Sequence, residues 1–379
     1  MIGYDGYYGG ITGSASGTIS GCEFDGTVKA VKDLKNGQSG LAYLGGITGD
    51  FSSAVSAVES DRDEKAEDFA GIVNCVNKGN IEAEKGSASA HALGGITGSV
   101  YLSDPRYTVT IENCKNVGKV FSTNHYYAGI AADACIKTDS TLTVSGCTNE
   151  VDFTEGEGAG IVHHLAMQKG NLVLSDCVNH GKIVSSGQNA AGILCYTTNM
   201  GNDWNLELEN CENTGDISSE VEAGGIACFT AYYKTEENAN TSFAIRNCKN
   251  SGNLSSPTTN GYMGGILAVD GFMLTKTEID GCENSGNISF TKQWVMGEAD
   301  LKTENDEGEK EDASLFTLSV MRGILGDCSC TNGFSVNFEN CTYSTERGVG
   351  NVELPDSTLE KMAAGDQAAV NFCEFQKNS

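Results

Sequence analysis

The groups in this chain that could do chemistry are five histidines, 51 acidic side chains and 15 cysteines. Two histidines, His163 and His164, are adjacent, and along an extended strand neighbouring side chains point to opposite faces. Counted from Ile161, His163 faces in, where other repeats carry a small residue, and His164 faces out. Aligning the repeats puts Asp133, Tyr196 and Phe229 in the same outward column, with Tyr126, Tyr127, Tyr232 and Tyr233 beside it. Rings next to one carboxylate and one imidazole suit stacking on a sugar or peptide. The expected ligand-binding face is therefore Asp133, His164, Tyr196, Phe229, Tyr232 and Tyr233. No residue is assigned a catalytic role, and no cofactor or metal is expected.

The carboxylates argue against an acid–base site. Glycan-cleaving enzymes gather them in one groove, with a metal or a raised pKa. Here the outward column five residues past the repeated cysteine reads Lys119, Asp152, Lys182, Asp216, alternating in sign. That pattern predicts a surface of paired charges. The acidic runs 61–68 and 304–312 lack the Asp-x-Asp-x-Asp-Gly layout of a calcium loop and read as solvated insertions.

The cysteine number is odd, so at least one is unpaired. Seven or more fall in one column. Stacked strands hold such side chains about 4.8 Å apart and parallel, whereas a disulfide needs convergent Cβ atoms about 3.8 Å apart. The column reads as buried thiols acting as small apolar residues, and Cys195 and Cys228 read the same way. Cys328, Cys330 and Cys341 fit no common zinc spacing.

Lys plus Arg is 24 against the 51 acids, a formal charge of −27. This excludes a nucleic-acid binder working through a basic face and disfavours anionic lipid surfaces. No stretch approaches the ~18 apolar residues of a membrane span, and no signal peptide opens the chain.

What must position these groups is a repeat. Cys-x-Asn-x-Gly recurs at Cys75, Cys114, Cys177, Cys211, Cys248 and Cys282, and at Cys147 with the Gly replaced by Val151. A second anchor, Gly/Ala-Gly-Ile, ends at Ile11, Ile47, Ile96, Ile130, Ile161, Ile193, Ile226 and Ile266, with a weaker copy at Ile324. From Cys114 to Cys282 the steps are 33, 30, 34, 37 and 34 residues. Three residues before the cysteine stands an apolar residue (Ile72, Ile111, Val144, Leu174, Leu208), and six after it another (Ile81, Val120, Phe153, Ile183, Ile217). Polar residues alternate between them, as in strands with one buried face. The Asn column that follows the cysteine (Asn77, Asn116, Asn149, Asn179, Asn213, Asn250, Asn284) predicts a stacked amide ladder at a tight turn, with left-handed backbone at these asparagines.

One such unit cannot bury its own apolar face, so units must stack. The predicted fold is all-β: a right-handed parallel β-helix of about nine coils, three strands per coil, ~40–45 Å long. A propeller needs four strands per blade and longer units. The β-helix is expected over residues 1–345, with insertions at about 50–70 and 291–320. Residues 346–379 are expected to form a short helical cap, from the spacing of Asp356, Leu359, Met362, Ala363 and Ala368.

The Gly-Gly-Ile-Thr-Gly strings at 9–13, 45–49 and 94–98, with the Asn-Cys-x-Asn-x-Gly units between them, resemble GLUG-type repeats over residues 1 to about 345. That resemblance implies a β-helical region of a bacterial cell-surface protein, like the non-catalytic part of immunoglobulin A peptidases. There is no His-Glu-x-x-His, so peptidase activity is not carried over. The expected function is a non-enzymatic, adhesin-like surface presenting a face to a glycan or host protein. The alternatives are a carbohydrate-active lyase or hydrolase, or a passive stalk. An extracellular location follows from the resemblance alone, and an anaerobic source would also keep the thiols reduced. The chain opens inside a repeat, at Tyr7-Tyr8-Gly9-Gly10-Ile11, which suggests part of a longer polypeptide.

Overall fold

The computed structural model describes residues 2–3, 6–30, 42–52, 69–83, 91–104, 107–121, 126–186, 189–198, 200–228, 233–234, 240–257, 262–269, 272–273, 276–290, 302–304, 310–312, 320–322, 325–327, 335–339 and 341–343. These residues form a parallel β-solenoid. One coil shows its plan: Lys169–Ser175, Val178–Asn179, Ile183–Val184, Asn189–Ala191 and Leu194–Thr198 follow one another around the axis. Each segment pairs in parallel with its counterpart in the coil above, for example Leu174 with Leu208 and Asn179 with Asn213. The three expected strands per coil become five short segments because two of the three faces are bent. One bend lies at His180-Gly181, the other at Gly192-Ile193.

Three sheets of nine strands run along the solenoid. The face that begins at the Gly-Gly-Ile bend is continuous over six strands only, from Thr12–Ala15 to Leu194–Thr198. Coils with this face in one unbroken sheet therefore number about six rather than the nine expected. The C-terminal segment 346–379, with its expected helical cap, lies outside the described residues, as do most of the two insertions. Within the second insertion, Lys302–Glu304 and Lys310–Asp312 pair antiparallel.

The interior is divided into two cores. The larger contains the column before the cysteine (Ile72, Ile111, Val144, Leu174, Leu208, Ile245), the cysteines and the anchor isoleucines. The smaller contains the column six past the cysteine with Leu44, Leu93, Tyr127, Ala190 and Ala223. At ~1.5–3 kcal/mol per buried aliphatic side chain, these columns supply most of the drive for stacking.

Between the cores runs the Asn ladder. Each amide nitrogen donates to the Oδ1 of the next Asn: Asn77 to Asn116 at 2.8 Å, Asn149 to Asn179 at 2.8 Å, Asn213 to Asn250 at 2.7 Å. The second proton satisfies a carbonyl two residues on, as from Asn179 to Gly181 at 2.8 Å. The ladder asparagines sit within two-residue strands, so the left-handed expectation for them is corrected. The positive φ falls on the residue before the cysteine: Asn74, Asn113, Asp176, Asn210, Asn247, and Gly at 21, 146 and 281. Only these residue types tolerate that corner cheaply.

The cysteine column is reduced and buried at Cys75, Cys114, Cys147, Cys177, Cys211, Cys248 and Cys282. Its thiols donate to carbonyls of the coil below, as Cys177 does to Val144 at 3.4 Å. Burial pushes the Cys147 thiol up, and hydrogen bonds between stacked thiols push alternate members apart, up at Cys177 and Cys248 and down at Cys114, Cys211 and Cys282. Cys328 and Cys330 lie outside the described residues.

Candidate functional site: an aromatic and acidic elbow

The bend at the Gly-Gly-Ile anchor makes the site. The strand before it and the strand after it meet so closely that a Cβ on Gly98 would stand 2.6 Å from Leu44 N and 2.8 Å from the Tyr43 carbonyl carbon. Position 98 therefore points onto the strand of the coil below, outside both main cores. Higher up, the register gives this position to Ala132, His163 and Cys195. A small apolar cluster of Ala159, Ala191, Cys195, Cys228 and Ala268 fills the upper elbow, and Tyr196 and Tyr262 pack on it from either side. His163 is thus buried, as alternation predicted, but in the elbow rather than in a main core. The reason is local: at the bend the strands turn their outer faces towards each other.

Two columns line the elbow. Before the bend, strand register stacks Tyr7, Tyr43, Ala92, Tyr126, Glu157, Asn189, Glu222 and Tyr262. After the bend it stacks Ser14, Asp50, Ser99, Asp133, His164 and Tyr196. Tyr7 and Tyr43 are parallel, their ring centroids 5.4 Å apart, and Tyr7 and Tyr126 are 48% and 42% exposed. Tyr126 stacks on His163 at 4.9 Å and His164 on Tyr196 at 5.5 Å.

The electrostatics tie the two walls together. Burial, then Asp133, Tyr7 and Asp50, push the Tyr43 hydroxyl up to about 12. Burial raises the Asp50 carboxyl against hydrogen bonds from Ser99, Ser52 and Ser14. Asp133 Oδ1 lies 2.7 Å from His164 Nδ1, and His164 Nε2 lies 2.6 Å from Thr198 Oγ1. With Asp133 accepting from Nδ1–H, a neutral His164 accepts the Thr198 hydroxyl proton at Nε2. His163 is held neutral: complete burial, with a smaller contribution from His164, pulls it down to about 3. Neither of its ring nitrogens has a hydrogen-bond partner among the described residues. In the upper elbow the Cys228 thiol donates to Glu222 Oε2 at 3.4 Å.

Asp133, His164 and Tyr196 are therefore adjacent in one column, as their sequence positions predict. Phe229 and Tyr232 lie outside the described residues. The Tyr233 backbone pairs with Phe272 in a separate two-stranded ladder, and its side chain is outside the described set. Of the tyrosine wall only Tyr126 is legible beside that column in the sequence, although Tyr7, Tyr43, Tyr126 and Tyr262 each stand four residues before an anchor isoleucine. Thr198 carried no sequence signal, because its contact with His164 is diagonal across strands.

The alternating charge column is also corrected. Asp152 accepts the Lys182 amide at 2.7 Å, and Asp216 the Asn253 amide at 2.9 Å, while Lys119 sits over the Phe121 ring at 4.6 Å. The carboxylates cap backbone at a bend, where a short side chain reaches the amide of the coil above.

The chain matches no protein-family model, no curated protein and no solved structure.

Proposed function

We propose that this solenoid is a non-enzymatic binding module that holds an extended glycan along the elbow. The observation that carries the reading is the tyrosine column Tyr7–Tyr43–Tyr126 facing Asp50, Asp133, His164 and Tyr196 across one bend. The stacked pair Tyr7–Tyr43 and, two coils on past Ala92, Tyr126 offer ring faces to successive sugars, and flanking carboxylates and hydroxyls offer acceptors and donors. The GLUG-like strings support placing the module on a bacterial cell surface, where glycans are the common extended ligand. A glycan array followed by titration of the best hit tests this. Tyr43→Ala and Tyr196→Ser should each weaken capture at least ~10-fold with an unchanged unfolding midpoint. A full array with no hit, or a hit indifferent to both substitutions, contradicts it.

One observation favours a second reading. The order Asp133–His164–Thr198 is that of a carboxylate, an imidazole base and a hydroxyl nucleophile. An esterase acting on acylated glycans would use it, and His164→Ala would then abolish acetate release from an acetylated polysaccharide. Wild-type protein that releases none dismisses this reading.

A further inference from the structure

Resting on the glycan-binding reading, we infer that the elbow selects glycans carrying free amino groups over N-acetylated or uronic-acid chains. Elsewhere on the surface, several carboxylates have cationic partners. Lys78 meets Glu23 at 2.7 Å, Lys115 meets Glu150 at 2.9 Å, and Lys169 bridges Asp139 and Asp203 at 3.0 and 3.1 Å. The elbow is built differently. Asp50, only 5% exposed, is held by serine hydroxyls, and Asp133 by the ring of His164. Serine hydroxyls orient Asp50 without cancelling its charge, and a neutral imidazole does the same for Asp133.

The stacked faces of Tyr7 and Tyr43 stand on the other wall, so close that a Cβ on Gly49, the neighbour of Asp50, would lie 2.6 Å from the Tyr7 carbonyl carbon. A carboxylate beside an aromatic face is the chemistry that recognises an ammonium group. Asp50 and Asp133 are two coils apart through Ser99, hence ~10 Å, so an extended chain could bring different amino groups to each. His163, against which Tyr126 stacks, adds beneath the same wall a donor and an acceptor that have no partner among the described residues. A uronate at either position would meet a like charge and be repelled.

The test compares three oligomers of equal length by calorimetry: β-1,4-linked glucosamine, its N-acetylated counterpart and galacturonate. It is run at about pH 6, acidic enough to protonate much of the oligomer's amine, and at ~0.15 M salt to screen general attraction. The expected result is that the glucosamine oligomer binds at least ~10-fold tighter than the acetylated one, with no binding of galacturonate. Asp50→Asn with Asp133→Asn should erase that preference. Glu82→Gln with Glu212→Gln, the same charge change on other faces, should keep it. Equal binding of the acetylated oligomer overturns the inference and leaves the glycan-binding reading standing. An equal loss in the control variant also overturns it, because the preference would then be bulk attraction to an acidic protein. No binding of any oligomer by wild type, together with an empty glycan array, removes both.

Discussion

Gly192 lies directly against Asn213: a Cβ added to the glycine would stand 2.6 Å from both Cβ and Cγ of the asparagine. The same relation joins Gly46 to Asn77, Gly129 to Asn149 and Gly225 to Asn250. The two sequence anchors are thus one packing unit. The Asn ladder occupies the waist between the cores, and the second glycine of each Gly/Ala-Gly-Ile leaves it room.

Gly192→Ala should therefore lower stability by ~3 kcal/mol or more, because the clash is with backbone as well as with Asn213 and cannot be relieved by one rotamer change. Gly17→Ala, where an added Cβ meets nothing within 4 Å, should stay within about 0.5 kcal/mol of wild type. Denaturant midpoints of the two variants measure the contrast.

Removing a central rung costs more than removing an end one. Asn179→Ala strips a donor from Asn213 and an acceptor from Asn149, leaving both buried groups unpaired, for a loss of about 3 kcal/mol or more. Of the rung-to-rung bonds Asn284→Ala breaks only the one from Asn250, beside the local, longer contacts with Gly286, and should cost less. Equal losses in chemical denaturation would mean that the ladder does not act as a chain.

The buried His163 makes stability depend on pH. Its native pKa, about 3, lies below the ordinary value of 6.5, so between these limits the unfolded chain binds a proton that the native one does not. Its contribution is complete above about pH 6.5 and is lost as pH falls towards 3, by up to about 1.4 kcal/mol per pH unit. Unfolding of His163→Phe against wild type at several pH values isolates this slope; parallel profiles would show that the imidazole is not buried neutral.

Arg246 stands in register between Glu209 and Asp280, yet its guanidinium bonds Glu207 and, at 3.1 Å through two nitrogens, Glu278. Register alone would pair it with Glu209 and Asp280; the long side chain instead reaches diagonally. All three partners are about one-third exposed, so Arg246→Ala should cost only ~1 kcal/mol, less at high salt. Glu278→Gln should reproduce most of that loss, and Glu209→Gln little of it.

Thiol titration reads the interior. In the native protein Cys114, Cys147, Cys177, Cys211, Cys248 and Cys282 should resist alkylation for hours, since each is buried and a reagent reaches it only when the coil opens. In denaturant all 15 cysteines should react. Rapid native labelling of Cys177 would contradict the stacked column.

The sequence alone determined the coil, because its signals are local and repeated. Apolar residues three before and six after each cysteine fix which strand face is buried, and a one-residue slip would expose the whole column. It also determined the Asn ladder and the adjacency of Asp133, His164 and Tyr196, since parallel stacking turns equal repeat positions into neighbours. What only the tertiary structure decided was everything that depends on bend angle and reach. The left-handed corner moved to the residue before the cysteine, Arg246 found diagonal partners, and His164 met Thr198. Above all, the Gly-Gly-Ile bend turned Tyr43 and Tyr126 towards a wall that holds Asp50 and Asp133. A period-two pattern says which face a side chain takes, but whether two outer faces confront each other is set by how the glycines let the backbones close.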